Sequence, residues 1–391
     1  FNKCRSREEQ EVVASKPLSF YIHVPYCVSR CGYCDFNTYT PSELNGDLAQ
    51  VSNGYIDQLI KEVDIAGTRV SNEISTIFIG GGTPTLLDPI DFKRLLDKLQ
   101  DKFGFKEGIE ITIEANPDSV NNEKLEKLIS IGINRISFGM QSAVPHVLKV
   151  LDRTHDPLNI ERSVTAAKSA GFKEISVDLI YGTPGESIED WKLSIQSALQ
   201  LPITHVSAYA LILETGTRLA NQVKRKEFEI PDDGETAEKY LIADREFTKH
   251  GFSWYELSNW AKPGSECKHN LAYWQGDNWW GLGPGSHSHI DGERFWNIKH
   301  PNTYRNALKE GSPIAGSEVL TAEDIENERV MLEIRLPSGI DKASLKSAQL
   351  DQVSQYLEGG ELDKSAWQNG RIALTANGRL VADRIVRSIL F

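Results

Sequence analysis

The chain has 391 residues, of which 40% are hydrophobic and 25% are charged, and its formal net charge is −12 at pH 7. This length allows two or three domains, and the ordinary composition excludes a disordered or disulfide-stapled scaffold. The acidic balance argues against nucleic-acid binding, and no apolar run reaches the roughly 20 residues of a membrane span. We expect a soluble, cytoplasmic protein. The polar leader, residues 1–17, lacks the apolar core of a secretory signal, but an organellar targeting segment removed before Phe1 stays open.

Short apolar runs with strand character alternate along the chain with amphipathic runs of helical spacing. The predicted strands are residues 18–24, 76–79, 109–113, 135–138, 174–180 and 205–211. The predicted helices between them are residues 55–65, 91–103, 123–131, 160–170 and 188–201. This βα alternation predicts an α/β fold with a parallel sheet, either open and doubly wound or curved into a full or partial barrel. In both, ligands bind at the carboxyl ends of the strands.

The alternation covers residues 18–235 and fades after them. Six of the eight tryptophans fall in the next segment, residues 236–320. Residues 321–391 predict a small, mainly helical C-terminal domain that covers part of the sheet's opening, with a last strand at 371–374 and a last helix at 379–390.

Three of the five cysteines, Cys27, Cys31 and Cys34, lie within eight residues directly after the first predicted strand. The spacing C-x3-C-x2-C supplies three thiolates for a [4Fe-4S] cluster and leaves the fourth iron without a nearby protein ligand. Structural zinc is the alternative, with Cys267 or a histidine as a distant fourth ligand. Three unconnected core thiols are a third interpretation. So few cysteines favour a metal site in a reducing compartment over disulfides.

Six further motifs follow in order along the chain. They are YIHVPYC at 21–27, GGGTP at 80–84, EANP at 114–117, NRISFGMQ at 134–141, VDLIYGTP at 177–184 and YELSN at 255–259. Together with the cysteine spacing, they resemble the radical SAM superfamily. They are more closely similar to the oxygen-independent coproporphyrinogen III oxidase family and its HemW branch. The resemblance implies a partial (β/α)6 barrel that carries a [4Fe-4S] cluster and S-adenosylmethionine at its C-terminal face. It also implies reductive cleavage of that cofactor to a 5′-deoxyadenosyl radical.

The resemblance implies cofactor-binding roles for a set of side chains near the cysteines. These are Tyr21, Tyr33, Gly81, Gly82, Thr83 and Glu114. The glycines let backbone groups approach the methionine end of S-adenosylmethionine, and Tyr21 reaches the same end. Taken alone, the glycine run is also typical of a tight βα turn, and Glu114 of a solvated strand end. A phosphate loop is excluded because no Gly-Lys-Ser/Thr follows.

Gln141, Arg153 and Asp178 match positions that hold a second S-adenosylmethionine in the oxidase. Asp178 lies between Val177 and Leu179 in an apolar strand, so its carboxylate needs a partner to offset desolvation. Arg153 is the candidate partner, and a plain buried ion pair between the two is the alternative. Whether one or two molecules of S-adenosylmethionine bind stays open.

Two features favour the HemW branch over the oxidase proper. Phe36 stands where the oxidase carries a further cysteine, and the longer N-terminal arm of the oxidase is missing. The segment 269–274, HNLAYW, matches the H-N-x-x-Y-W motif typical of the branch. Its histidine, His269, is a candidate axial heme ligand, with Cys267 and His287 as rivals. Aromatic packing at a domain junction is the structural alternative.

The resemblance to the HemW branch therefore implies a heme chaperone that binds heme as cargo and transfers it to heme-requiring enzymes such as respiratory proteins. No catalytic residue is identified. The alternative is an oxygen-independent coproporphyrinogen III oxidase, or another radical SAM enzyme that acts on a tetrapyrrole. A zinc-stabilised α/β protein is the third interpretation. A homodimer and peripheral membrane contact through a partner are both compatible with the sequence.

Overall fold

The computed structural model describes residues 16–153 and 156–391, so the predicted leader lies outside the described residues except for its last two positions. The strands are β1 (Leu18–Val24), β2 (Ile74–Gly81), β3 (Phe105–Ala115), β4 (Arg135–Gln141), β5 (Glu174–Tyr181), β6 (His205–Ala210), β7 (Ser253–Glu256), β8 (Asn259–Ala261), β9 (Asn278–Leu282), β10 (His287–Ile290), β11 (Glu293–Asn297), β12 (Ile314–Val319), β13 (Ile340–Asp341) and β14 (Arg371–Ile372). Strands β1 to β12 form one sheet in the order β12-β11-β10-β9-β1-β2-β3-β4-β5-β6-β8-β7.

Helices connect the parallel strands and build the C-terminal part. They are α1 (Leu48–Ser52), α2 (Tyr55–Ala66), α3 (Pro89–Phe103), α4 (Asn122–Ser130), α5 (Pro145–Val150), α6 (Pro157–Ala170), α7 (Ile188–Leu199), α8 (Arg218–Lys224), α9 (Asp233–Lys249), α10 (Lys268–Trp274), α11 (Pro301–Glu310), α12 (Ala322–Glu333), α13 (Ser347–Glu358), α14 (Lys364–Gln368), α15 (Ala376–Leu380) and α16 (Ala382–Leu390). Polar caps set several starts. The Asp88 side chain accepts the Ile90 N–H, so α3 begins two residues before its predicted start.

The six predicted strands pair in parallel in chain order, from β1 through β6, which confirms the predicted α/β class. The aromatic-rich segment extends this sheet on both sides. Strand β9 adds a seventh parallel strand beside β1, while β8 pairs antiparallel with β6. No strand was predicted in this segment; β8 and β9, for example, are only three and five residues long and lack regular alternation.

The two faces of the parallel strands differ in chemistry. One face is apolar and packs against the crossover helices, with residues such as Ile22, Ile79 and Val177 fully buried in the main core. The opposite face carries polar side chains at alternate positions, for example Ser137 on β4 and Asp178 on β5, and these line a cavity. A parallel sheet covered on both faces has apolar residues throughout, so this alternation marks the polar face as a ligand-binding face.

The C-terminal residues form a second hydrophobic core between Val330 and Ile389. This unit packs on α9 through Arg379, whose Nη1 and Nη2 atoms donate to the two carboxylate oxygens of Asp244 at 2.9 and 2.8 Å. The predicted last helix is broken at Val381, whose backbone leaves helical geometry between α15 and α16. Within the described ranges, no helix is both long and apolar enough to cross a membrane.

Candidate functional site

The three clustered cysteines lie in the loop after β1. Hydrogen bonds to neighbouring segments fix this loop: the Cys27 N–H donates to Tyr39 O at 3.1 Å, and the Gly32 N–H donates to Leu151 O at 3.2 Å. All three thiols are half-buried and line one cavity of about 420 Å³, which we call the cofactor cavity. Burial raises the pKa of the Cys27 thiol to about 11.

The donor set fits a cluster better than a single zinc ion. Across residues 16–153 and 156–391, no three His, Cys, Asp or Glu side chains converge on a position for one metal ion. Cys267, the distant fourth ligand of the zinc interpretation, is buried elsewhere, where its thiol donates to Glu110 Oε1 at 3.5 Å. A cubane needs each thiolate on a different iron, which suits three cysteines spread around one cavity wall.

The glycine run after β2 forms the wall of the cofactor cavity that faces the cysteines. A Cβ atom on Gly82 would lie 2.5 Å from Tyr26 O and 3.0 Å from Cys27 Sγ, so only glycine fits there. Gly81 has a φ of 112°, in the region that favours glycine. The next residue, Thr83, donates its hydroxyl to Cys27 Sγ at 3.8 Å. The turn is therefore tight and also part of the cavity.

Two half-buried carboxyl groups, those of Glu114 and Asp178, line the cofactor cavity. Glu114 Oε2 accepts the Gly81 N–H at 3.0 Å, and Asp178 Oδ1 accepts the Ser137 hydroxyl at 3.0 Å. Burial, together with the charge of Asp178, raises the pKa of Glu114 to about 8. Burial raises the pKa of Asp178 to about 6, against hydrogen bonds from Ser207 and Ser137. Since burial raises both pKa values, a cationic ligand such as S-adenosylmethionine would favour the ionised form of the two carboxyl groups.

The predicted second-cofactor residues Gln141, Arg153 and Asp178 all line this cavity. Among the described residues, Arg153 forms no ion pair with Asp178. Its Nη2 donates to Gly139 O at 2.7 Å and its Nη1 to Cys31 Sγ at 3.5 Å. The alternative of a buried ion pair between Arg153 and Asp178 is therefore wrong. Arg153 instead places its positive charge against the cysteine loop.

A second cavity, the interior cavity, has about 470 Å³ and lies over the polar face of β2 to β6. Its wall includes Phe78, Arg135, His205 and Asn270. Several residues line both cavities and join them. They are Tyr33, Cys34, Phe36, Glu114, Ser137, Gln141 and Asp178. In the part of the chain that the structure describes, no residue after Asn270 lines either cavity. Contrary to the prediction, the C-terminal unit therefore does not cover the opening.

His269 does not face either cavity. The residue is 1% exposed, and both ring nitrogens are engaged: Nδ1 with Thr76 Oγ1 at 2.8 Å and Nε2 with Tyr273 OH at 2.9 Å. Burial lowers the pKa of its imidazole to about 3. Glu110 Oε1 accepts its backbone N–H at 3.0 Å and so anchors the start of α10. In this conformation His269 is not available as an axial heme ligand.

Some of the other predicted site residues line a cavity and others do not. Tyr33, Gly81, Gly82 and Thr83 line the cofactor cavity with the cysteines. Tyr21 lines neither cavity but stacks on Phe78, which lines the interior cavity. Its hydroxyl forms a hydrogen bond with His23 Nδ1 on the same strand. The rival heme ligands also differ. Cys267 lines the interior cavity, whereas His287 is exposed on β10 and stacks on Trp296 with ring centroids 5.9 Å apart.

Sequence reasoning missed the polar residues inside the strands. Ser137, Ser176 and Ser207 line the interior cavity, but none of them was predicted as a site residue, although Ser137 lies in the NRISFGMQ motif at 134–141. The signal was the alternation itself, as in Arg-Ile-Ser-Phe-Gly-Met-Gln at 135–141, where every second residue is polar or small. In a strand predicted to be parallel and buried, that pattern indicates an internal cavity.

Comparisons with known proteins show which family this chain belongs to. Residues 21–198 match the family model of the radical SAM superfamily. The heme chaperone HemW of Mycobacterium tuberculosis is 44% identical over 378 residues, which cover 96% of this chain and 95% of that protein. The heme chaperone HemW of Bacillus subtilis is 33% identical over 380 residues, covering 95% and 99%. The chain belongs to the HemW family.

The HemW family is a radical SAM family, so membership implies the [4Fe-4S] cluster and S-adenosylmethionine for which the cofactor cavity is suited. Among solved structures, the coproporphyrinogen III oxidase HemN of Escherichia coli superposes with a TM-score of 0.81. The match covers 96% of this chain and 90% of that protein at 22% sequence identity. It confirms the predicted radical SAM fold.

Proposed function

We propose that this chain binds heme and passes it to heme-requiring proteins. The observation that carries the proposal is the 44% identity, over 96% of the chain, to a protein named as a heme chaperone. Cys27, Cys31 and Cys34 would hold the cluster, and Gly81 and Glu114 would contact S-adenosylmethionine. When bound, the cluster supplies one-electron reduction to S-adenosylmethionine. The cluster and S-adenosylmethionine would together stabilise the heme-loaded state of the protein.

The heme surface in this proposal is the mouth of the interior cavity. Three large side chains on its wall are unusually exposed: Phe36 by 61%, Ile212 by 69% and Tyr209 by 42%. Exposed apolar side chains grouped at a cavity mouth are typical of a binding site, and flat aromatic surface suits a planar porphyrin. We name these three residues the rim. Because His269 is engaged on both nitrogens, the rim replaces it as our candidate heme contact.

Three finer points belong to the same proposal. The recipients would be heme enzymes such as respiratory proteins, the chain would act in the cytoplasm, and it would form a homodimer. Recipients can be identified by heme transfer to purified apo-proteins, and the homodimer by sedimentation of the reconstituted protein.

Heme titration of anaerobically reconstituted protein tests the rim. Phe36→Asp places a charge against the porphyrin face, so we expect its heme dissociation constant to rise about tenfold or more. Ile230→Asp is the matched control, because Ile230 is 57% exposed and lines neither cavity. We expect the control to bind like the parent protein.

The same titration separates the rim from His269. His269→Gln retains a hydrogen-bonding side chain. A melting temperature equal to that of the parent first shows that the variant is folded, and we then expect it to bind heme like the parent. Loss of heme in folded His269→Gln with full binding in Phe36→Asp would move the site to the histidine. A parent protein that takes up no heme at all would contradict the proposed function itself.

A further inference from the structure

Six aromatic side chains form a continuous row that runs from beside the interior cavity to strands β9 and β10, and we call it the aromatic row. In order they are Tyr21, Phe78, His269, Tyr273, Trp279 and His289, with successive ring centroids 6.3, 5.2, 5.0, 4.9 and 5.0 Å apart. Phe78 lines the interior cavity, while Trp279 is half-buried and its indole N–H donates to the backbone carbonyl of exposed His287 at 3.2 Å. The row thus connects the cavity with the surface.

Tyr273 donates its phenolic proton to an imidazole. The Thr76 hydroxyl donates to Ser19 Oγ at 2.8 Å, so its oxygen accepts from His269 Nδ1, which must carry a proton. His269 Nε2 is then the bare nitrogen, and it accepts the Tyr273 hydroxyl at 2.9 Å. His269 and Tyr273 are the histidine and tyrosine of the HNLAYW segment, so the motif builds this pair.

Tyr21, at the inner end of the row, has the same arrangement. His23 Nε2 lies 2.9 Å from Asn37 O, a carbonyl that can only accept, so Nε2 carries the proton. His23 Nδ1 therefore accepts the Tyr21 hydroxyl at 3.1 Å. Both tyrosines of the row have a fixed base at their phenolic proton.

We infer that the aromatic row is a one-electron transfer route in which Tyr21 and Tyr273 are the redox-active positions. A phenol that loses an electron becomes a strong acid, so its oxidation is favoured where a neighbouring base takes the proton. Neutral His23 and His269 are such bases. The route would carry oxidising equivalents away from the cavities, where a strong one-electron oxidant would otherwise damage the cysteines.

Each step balances. A carbon-centred radical in the interior cavity gains one electron from Tyr21 through the Phe78 ring and one proton from solvent, which together form its new C–H bond, while the phenolic proton of Tyr21 moves to His23 Nδ1. Tyr273 returns an electron to Tyr21, which regains its proton from His23, while the Tyr273 proton moves to His269 Nε2. Trp279 then returns an electron to Tyr273, which regains its proton from His269, and Trp279 is left as an indole radical cation because its N–H donates to the His287 carbonyl rather than to a base. At the surface, a small thiol reduces the oxidised Trp279 by one electron, loses its proton and becomes a thiyl radical.

Photo-oxidation from the surface tests the row in the intact chain and needs neither heme nor S-adenosylmethionine. An oxidised ruthenium polypyridyl, produced by a flash with a sacrificial acceptor, removes an electron from half-buried Trp279, and freeze-quench EPR records the tyrosyl radical. Tyr273→Phe keeps the ring but removes the proton donor, so we expect a severalfold loss of tyrosyl signal. Trp279→Phe removes the entry point, and we expect a similar loss.

Tyr255→Phe is the matched control. The Tyr255 hydroxyl also bonds to an imidazole, His205 Nε2 at 2.8 Å, but Tyr255 makes no ring contact with the aromatic row. Melting temperatures are matched first, and we expect this variant to keep the parent signal. An unchanged signal in both Tyr273→Phe and Trp279→Phe would overturn the inference. So would an equal loss in Tyr255→Phe. Neither result depends on whether the protein binds heme.

Discussion

Cys31→Ala is expected to yield a folded protein that retains almost no iron or acid-labile sulfide after anaerobic reconstitution. Among the residues that the structure describes, the three cysteines of the loop are the thiol ligands that line the cofactor cavity, so loss of one leaves two irons of a cluster with an open fourth iron unsupported. The loop itself is fixed by backbone hydrogen bonds, such as Gly32 N–H to Leu151 O at 3.2 Å, and these do not involve the thiol. Iron and sulfide per chain and visible absorbance measure the result.

Cys267→Ser is the matched control for this experiment. Cys267 is buried outside the cysteine loop, and serine keeps its hydrogen bond to Glu110. We expect parental iron and sulfide in this variant. If Cys267→Ser lost its metal as completely as Cys31→Ala, or if the parent bound zinc without sulfide, a four-ligand metal site would replace the cluster.

Lys239→Met is expected to destabilise the fold by about 3–5 kcal/mol. Lys239 on α9 is completely buried, and its Nζ lies 3.2 Å from Glu186 Oε2 and 2.8 Å from Glu235 Oε1. Glu186 is itself buried and anchors the turn after β5 by accepting the Gly182 N–H at 2.8 Å. Removing the ammonium group leaves an uncompensated carboxylate in the interior, which urea unfolding detects as a lower midpoint at unchanged slope.

An exposed pair provides the comparison for Lys239. Lys192 and Glu189 lie 3.8 Å apart on the surface of α7, so Lys192→Met is expected to change stability by less than about 1 kcal/mol. In the double variant Lys239→Met with Glu186→Gln, the buried charge is gone and part of the loss should return. Equal unfolding midpoints for Lys239→Met and Lys192→Met would show that the buried pair does not stabilise the fold.

The sequence was sufficient to predict the parallel sheet, because the strands of the sheet are short apolar runs separated by well-capped helices. The run at 205–211 and strand β6 (His205–Ala210) differ by one residue. The flanking strands were not predictable in the same way. Strand β9 pairs with β1 across more than 250 residues of chain, and its sequence Asn-Trp-Trp-Gly-Leu has no period that distinguishes a strand from aromatic packing.

The site shows the same division between local and distant information. The cysteines and Gly82 follow their strands and Glu114 lies at the carboxyl end of β3, so the parallel topology alone places them at one edge of the sheet. His269 was harder to interpret, since its role depends on Thr76 and Tyr273, which bind both of its nitrogens. A motif gives the residue types but not which neighbour occupies each polar atom.

The most direct test of the central claim is heme transfer. Reconstituted protein is loaded with heme, separated from free heme and mixed with an apo-hemoprotein, and the spectrum of the acceptor is followed with time. We predict transfer to the acceptor by the parent, and weaker heme retention and slower transfer by Cys31→Ala. A parent protein that neither retains heme nor loads the acceptor faster than free heme does would contradict the proposed chaperone function.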